Sequence, residues 1–322
     1  MASNYWASSQ AQYWTFTKQE LEDIRHDLGS ESPSLVGKWP LPELRHLSIY
    51  FHQRESLRGL LIRPPKTIAV CSPSAEISKL AKRTSASQPI RQQALATAQV
   101  YVRRFYTKVE IRKTNPYLVM ATAFYLACKM EESPQHIRLV VSEAHHQWPD
   151  LVMADISKLG ECEFWLISEM NSQLILHHPY RSLSELQQTF ALTTDEALLA
   201  SSIINDHYLT DLPFLHAPHV MAITAIILAV TLRPNQANLQ AHAAATSAVA
   251  VQNAMQALGR PQLVNSKVTK LIDWLAESSI DMAAVAECTQ EMISLYEIWE
   301  SYVEKDCKDR INRFVKVLGL DK

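Results

Sequence analysis

Glycine is scarce, with 6 residues in 322. A chain built from tight hairpins, or one that cradles phosphates on glycine-rich loops, needs more, because glycine alone takes left-handed backbone conformations without steric cost. Neither G-x-x-x-x-G-K-[ST] nor G-x-G-x-x-G occurs, and G-x-S-x-G and H-E-x-x-H are missing as well. That removes the common nucleotide-binding loops, the nucleophile elbow and the zinc-protease helix. The five cysteines (Cys71, Cys128, Cys162, Cys288 and Cys307) are odd in number and never in C-x-x-C spacing. This is the pattern of a reducing compartment, not of a disulfide framework or a zinc ribbon. A formal charge of −2 exerts no global pull toward nucleic acid or anionic membrane. No apolar run is as long as a membrane span. The opening MASNYWASSQAQYW has neither the charged start nor the apolar centre of a secretory signal. These absences predict a soluble intracellular protein with no cofactor, no metal and no catalytic residue to nominate.

What is present points to helix. Apolar residues make up 47% of the chain, and Ala, Leu, Glu, Gln and Lys are abundant. Apolar spacing of three and four recurs over residues 94–106, 155–176 and 291–318, and Met292, Leu295, Tyr296, Trp299 and Val303 form one stripe in the last of these. The run PYLVMATAFYLACKM, 116–130, is apolar nearly all round, which predicts a helix enclosed by others. The fold class expected is all-α, and the length suffices for two domains.

An internal repeat sets the architecture. PYLVMATAFYLA at 116–127 aligns without a gap on PHVMAITAIILA at 218–229, pairing Pro116 with Pro218, Thr122 with Thr224 and Leu126 with Leu228. The same offset of 102 pairs Ala98 with Ala200 and Tyr106 with Tyr208. A period near one hundred is too long for a solenoid and suits two copies of one small helical bundle. The expected divisions are an N-terminal segment at 1–39, a first copy at 40–176 and a second at 177–322. Two stretches interrupt the helical pattern and read as insertions: proline-bearing 54–75, and 233–262, rich in Ala and Gln.

One short stretch, ACKMEESP at 127–134, raises a chemical question. A helix C-terminus carries partial negative charge, so Lys129 is well placed there and Glu131 and Glu132 are not. The second copy has VTLRP where the first has CKMEE, so the repeated fold requires neither the lysine nor the glutamates. A local surface ion pair is the bland reading; a task special to the first copy is the other. The pairs His145-His146 and His177-His178 diverge on a helix and are expected at a surface or interface, not as joint metal ligands. Cys162, between Glu161 and Glu163, is a poor thiolate. Arg103, Arg104, Lys108, Arg112 and Lys113, interleaved with Tyr101, Phe105 and Tyr106, could form a nucleic-acid patch, a solvated helix end or a protein contact. Tyr5, Trp6, Tyr13 and Trp14 precede the first copy and read as interface anchors on a short segment.

Four stretches together carry a family resemblance: NYWASSQAQYW near the start, RQQALATAQVYVRRFY at 91–106, LACKMEE at 126–132 and ECEFWLISEMNSQLILHHPYRSL at 161–183. With the tandem repeat, they resemble the cyclin family, and within it the cyclin of the Mediator kinase module. The resemblance implies two tandem cyclin-box bundles, a regulatory subunit and not an enzyme, and a nuclear role in RNA polymerase II transcription. The implied partners are a cyclin-dependent kinase, the Mediator kinase, and other Mediator kinase-module subunits, with no direct nucleic acid and no membrane. By motif match Lys129 and Glu163, the latter eleven residues before Leu174, are the polar anchors for the kinase C-helix. Glu131 and Glu132 then form an acidic rim beside Lys129. The rival is a TFIIB-like general transcription factor, which uses paired cyclin folds on DNA. It calls for a zinc ribbon and a basic surface, and the sequence offers neither.

Overall fold

The computed structural model describes residues 4–42, 44–55, 91–232 and 263–321, and among these every regular element is helical. The expected insertions at 54–75 and 233–262 lie outside the described residues, apart from residues 54 and 55, which close a helix. The chain divides into two compact units. One comprises residues 1–178, 208–215 and 292–322; the other comprises 179–207 and 216–291.

In the first unit, short helices α1 (Ser9–Tyr13), α2 (Lys18–Ser30) and α3 (Pro33–Lys38) precede α4 (Leu44–Glu55), α5 (Gln92–Tyr106), α6 (Pro116–Met130), α7 (Ile137–Gln147) and α8 (Ile156–Glu169). Helix α6 starts where its residues dictate. Asn115 accepts from the amides of Tyr117 and Leu118, and Pro116 at the first helical position gives up an amide that would have no partner there. The expectation of an enclosed helix holds: Val119, Met120, Ala121, Ala123, Phe124, Leu126 and Ala127 are all buried, on every side of α6, against α5, α7 and α8. Burying each large side chain of this kind contributes about 1.5–3 kcal/mol.

The second unit repeats the pattern at the offset read from sequence. Helices α9 (Pro179–Thr189) and α10 (Thr194–His207) pack on α12 (Pro218–Leu232), which is apolar nearly all round and begins and ends at the positions equivalent to those of α6; α11 (Leu212–Leu215) lies between α10 and α12 in the chain and belongs to the first unit. The paired threonines do the same work in each copy. Thr122 donates to the Leu118 carbonyl at 2.7 Å and Thr224 to that of Val220 at 3.0 Å, so each buried hydroxyl is satisfied within its own helix. Helix α13 (Leu263–Glu277) closes on this unit through Trp274, which meets Phe190 edge to face at 5.3 Å.

Three sequence readings change. The helical pattern at 291–318 is broken: α14 (Met282–Ser301) ends, and α15 (Glu304–Val317) begins after Val303, which lies exposed instead of continuing the stripe of Met292 and Leu295. The C-terminal helix, read as part of 177–322, lies in the first unit. Cys307, Ile311, Phe314 and Val315 share its core, and Asn312 accepts a hydrogen bond from the Tyr117 hydroxyl at 2.6 Å. The spacing of four, three and one among the apolar residues identifies the helix's inner face but not the bundle that receives it. The pattern at 155–176 also stops early, at Glu169, because Asn171 and Ser172 turn into the left-handed region and the Ser172 amide bonds back to the Ile167 carbonyl.

Candidate partner-binding site

The end of α6 resolves the question of ACKMEESP. Glu131 caps the helix, its amide bonded to the Ala127 carbonyl at 2.9 Å, and the Ser133 amide reaches back to the Cys128 carbonyl at 2.9 Å. This six-to-one bond is the Schellman closure, which needs a left-handed residue. Glu132 supplies it at φ = 50° where glycine is usual, at a cost of about 1–2 kcal/mol. Glu132 is exposed, whereas Glu131 turns inward, away from the rim expected of it. Its carboxylate accepts from the buried Thr97 hydroxyl at 2.6 Å and lies 3.8 Å from His178 Nε2. Burial alone would raise its pKa, but the nearby His178 ring, the hydrogen bond from Thr97 and the Arg91 charge outweigh that. The carboxyl is held below its ordinary range. A carboxylate at the unfavourable helix end is thus compensated from the side.

The structure brings Lys129 and Glu163 together. They form an ion pair between the last turn of α6 and the middle of α8, with Lys129 also over the Tyr125 ring at 4.7 Å from its centroid. Beside Glu163 the Phe164 side chain is 78% exposed, and Met130 next to Lys129 is also exposed. Glu163 and Phe164 are outward-facing neighbours on α8, while Cys162 and Leu166 face the core. A charged pair bordered by apolar side chains has the composition of an interface anchor. Phe164 was missed from sequence, because periodicity alone does not distinguish an exposed aromatic on the margin of a helix face from a core one.

The N-terminal aromatics separate into two kinds. Trp6 and Tyr13 are exposed, at 66% and 60%. Tyr5 is half-buried and meets His177 edge to face at 5.8 Å. Trp14 is 2% exposed and belongs to the core of the first unit: its indole donates to Gln173 Oε1 at 2.6 Å, and the Arg104 guanidinium lies 4.5 Å from its ring centroid. Gln10, also buried, accepts from the His177 amide at 2.6 Å. The segment before the first copy is therefore partly built into it, and Trp14 is a packing residue.

The three arginines of the basic cluster at 103–113 are spent internally, which leaves Lys108 and Lys113 as its exposed cations and argues against the DNA reading. Arg103 donates to the Tyr208 carbonyl, Ser48 and Asp211; Arg104 is buried on Trp14 and donates to the Gln173 carbonyl; Arg112 pairs with Glu110 and donates to the Trp39 carbonyl; Lys113 pairs with Glu31. Burial lowers the Arg104 pKa to about 9, still charged at neutral pH. Asp211 would be raised by burial, but the charge of Arg103, the hydrogen bond and charge of Arg25 and the charge of Arg45 prevail and lower it. His178, expected at a surface or interface, is buried. Cys162 is a poor thiolate chiefly through burial, which lifts it to about 11; Cys128 rises to about 12 and Cys307 to about 11 for the same reason.

The cyclin N-terminal domain family matches residues 81–175. The chain is 54% identical to the RNA polymerase II holoenzyme cyclin-like subunit of Aspergillus fumigatus and 44% identical to that of Neurospora crassa, each over 100% of both chains. Among solved structures it is similar to a chain of the CAK complex of Chaetomium thermophilum bound to ATP-γ-S, at 16% identity and a TM-score of 0.56, covering 97% of this chain and 88% of that one. It is also similar to a chain of the yeast TFIIK complex, at 17% identity and a TM-score of 0.55, covering 89% and 100%. At those identities the two structures speak to the fold alone. Full-length identity of this size, on a repeated all-helical bundle whose first copy carries the family match, has one conclusion: the chain belongs to the cyclin family.

Proposed function

We propose that this chain is the regulatory, non-catalytic subunit of a nuclear cyclin-dependent kinase acting in RNA polymerase II transcription. More specifically, we propose that it is a cyclin C, which partners the Mediator kinase and its module. The relatives named as RNA polymerase II holoenzyme cyclin-like subunits support the transcriptional role. The single observation that supports the site is the Lys129–Glu163 pair beside exposed Phe164, on a helix end whose counterpart in the second copy has Thr231 instead of lysine. In the proposed complex Lys129 and Glu163 exchange their mutual pairing for polar groups on the kinase C-helix, and Phe164 and Met130 cover its apolar side. Pressing that helix inward completes the kinase's own Lys–Glu ion pair, which positions the ATP phosphates. Glu132, Trp6, Tyr13 and Tyr5 extend the contact; Trp14 and Glu131 support it from inside. Affinity purification from the source cells should recover one kinase together with Mediator kinase-module subunits. Recovery of a kinase with no Mediator subunit would leave a cyclin but refute the cyclin C assignment, and recovery of no kinase would refute both.

A further inference from the structure

Four polar side chains of the first unit form an unbroken hydrogen-bonded row. The Tyr208 hydroxyl lies 2.6 Å from His178 Nδ1, His178 Nε2 lies 2.8 Å from Thr97 Oγ1, and Thr97 Oγ1 lies 2.6 Å from Glu131 Oε1. Thr97, His178 and Tyr208 are buried, and Glu131 closes the row at the half-buried end of α6. The count of protons gives the row a direction. An ionised carboxylate only accepts, so the single hydroxyl proton of Thr97 goes to Glu131. The Thr97 oxygen must then accept from His178, which places a proton on Nε2. In the neutral ring Nδ1 becomes the acceptor and takes the Tyr208 hydroxyl proton. The other groups acting on Glu131 are Arg91, which favours its charge, and Tyr101, for which Glu131 is an unfavourable neighbour when ionised.

The Thr97–Glu131 link at the α6 end of the row belongs to the first copy only. At the offset of 102, Thr97 aligns with Leu199 and Glu131 with Arg233, so the bundle as such does not demand it. What distinguishes the first copy is the charged end of α6, and Glu131 caps that end two residues after Lys129.

We propose that Glu131 is a positioning residue: acting through Thr97 it fixes His178 as the neutral, Nε2-protonated tautomer, and the row so formed clamps the last turn of α6, holding Lys129 and Glu132 in place for the kinase. Its purpose rests on the kinase-binding reading; its chemistry does not. The test therefore has two arms. In the first, long-range proton–nitrogen correlation spectra of the nitrogen-15-labelled full chain, with His178 assigned by loss of its signals in His178→Gln, report the tautomer. The wild type should show a protonated Nε2 and a bare Nδ1. Glu131→Leu frees the Thr97 proton and should populate the Nδ1-protonated form. A wild-type ring protonated on Nδ1, or a Glu131→Leu ring unchanged, overturns the proposal.

In the second arm kinase affinity is measured for Glu131→Leu, Thr97→Val, both together and Glu131→Asp, each checked for native helical signal. Either single change should weaken binding roughly three- to thirtyfold. The double variant should be no weaker than the worse single one, because links of one chain fail together, and Glu131→Asp should recover part of the loss. Additive losses, or unchanged affinity with an altered tautomer, refute the positioning role. Lys129→Glu in the same assay separates the two readings: if it too is silent, the kinase-docking site itself is wrong and the clamp has nothing to position, while the tautomer result stands or falls independently.

Discussion

Reversing the charge at Lys129 separates a local surface pair from a partner-binding site. In the free chain the Lys129 side chain is 39% exposed and that of Glu163 15%, and a pair with one open and one largely covered member is worth about 1 kcal/mol, the upper end of the range for surface pairs. Lys129→Glu removes that and sets two carboxylates near each other, adding about 1 kcal/mol of repulsion at 4 Å in a water-like medium. A total near 2 kcal/mol lowers the Tm of a chain this size by at most about 8 °C. In a kinase complex the same groups are desolvated, and truncating one member of such a set costs roughly 2–5 kcal/mol, or about thirty- to several-thousand-fold in affinity. The swap Lys129→Glu with Glu163→Lys restores the intramolecular pair, so its Tm should return to the wild-type value. It presents inverted charges to the partner, so binding should stay lost. Thr231→Glu, at the equivalent exposed position of α12, should leave binding intact. Kinase pull-downs or titration calorimetry beside melting curves measure all of this. If the swap restores binding together with stability, or if Lys129→Glu alone binds normally, the pair serves only to hold the two helices and the site assignment fails.

Other expectations follow from the packing. Trp14→Ala should destabilise the first unit by about 3–5 kcal/mol, since it empties a core position and strips the ring from Arg104; a loss below about 1 kcal/mol in urea melts would show that the indole is dispensable. Deletion of residues 1–16 should be destabilising for the same reason. Native-state alkylation mapped by mass spectrometry at pH 8 should leave Cys128, Cys162 and Cys307 unmodified, because thiols lifted to about 11–12 and buried offer almost no thiolate; modification of any of them without unfolding would contradict this. Because the folded-state pKa of Asp211 is depressed, its contribution is complete above the ordinary aspartate value of 3.8 and is lost as pH falls through the folded value. The Tm gap between wild type and Asp211→Asn should hold steady from neutral pH to about 5, then close with acid. A gap that widens with acid would have the wrong sign.

The sequence by itself determined the helical class, the enclosed character of α6 and α12 and the offset that relates them, because these rest on local periodicity and on composition. Asn115-Pro116 is a favourable helix start, with a capping side chain followed by a proline at the first helical position, and a run such as PYLVMATAFYLA must be covered on most of its sides. Lys129 and Glu163 were picked out by likeness to a family motif, but their pairing with each other is seen only in the structure. What the sequence could not determine was direction and company. Glu131 and Glu132 are adjacent and chemically identical, yet one turns in to Thr97 and His178 while the other takes the left-handed turn at the surface. The choice depends on a hydroxyl thirty-four positions before Glu131 and an imidazole forty-seven positions after it. Trp14 and Trp6 lie in the same aromatic segment, and only the presence of Gln173 and Arg104 beside one of them makes it core. The arginines at 103–112 gave the appearance of a basic patch because sequence records charge and not the carbonyls and carboxylates that meet it. The last helix shows its apolar stripe in sequence, but its place in the first unit's core was decided by Tyr117 and its neighbours, nearly two hundred residues earlier. Hydrophobic periodicity specifies that a face must be buried; only long-range packing specifies against what.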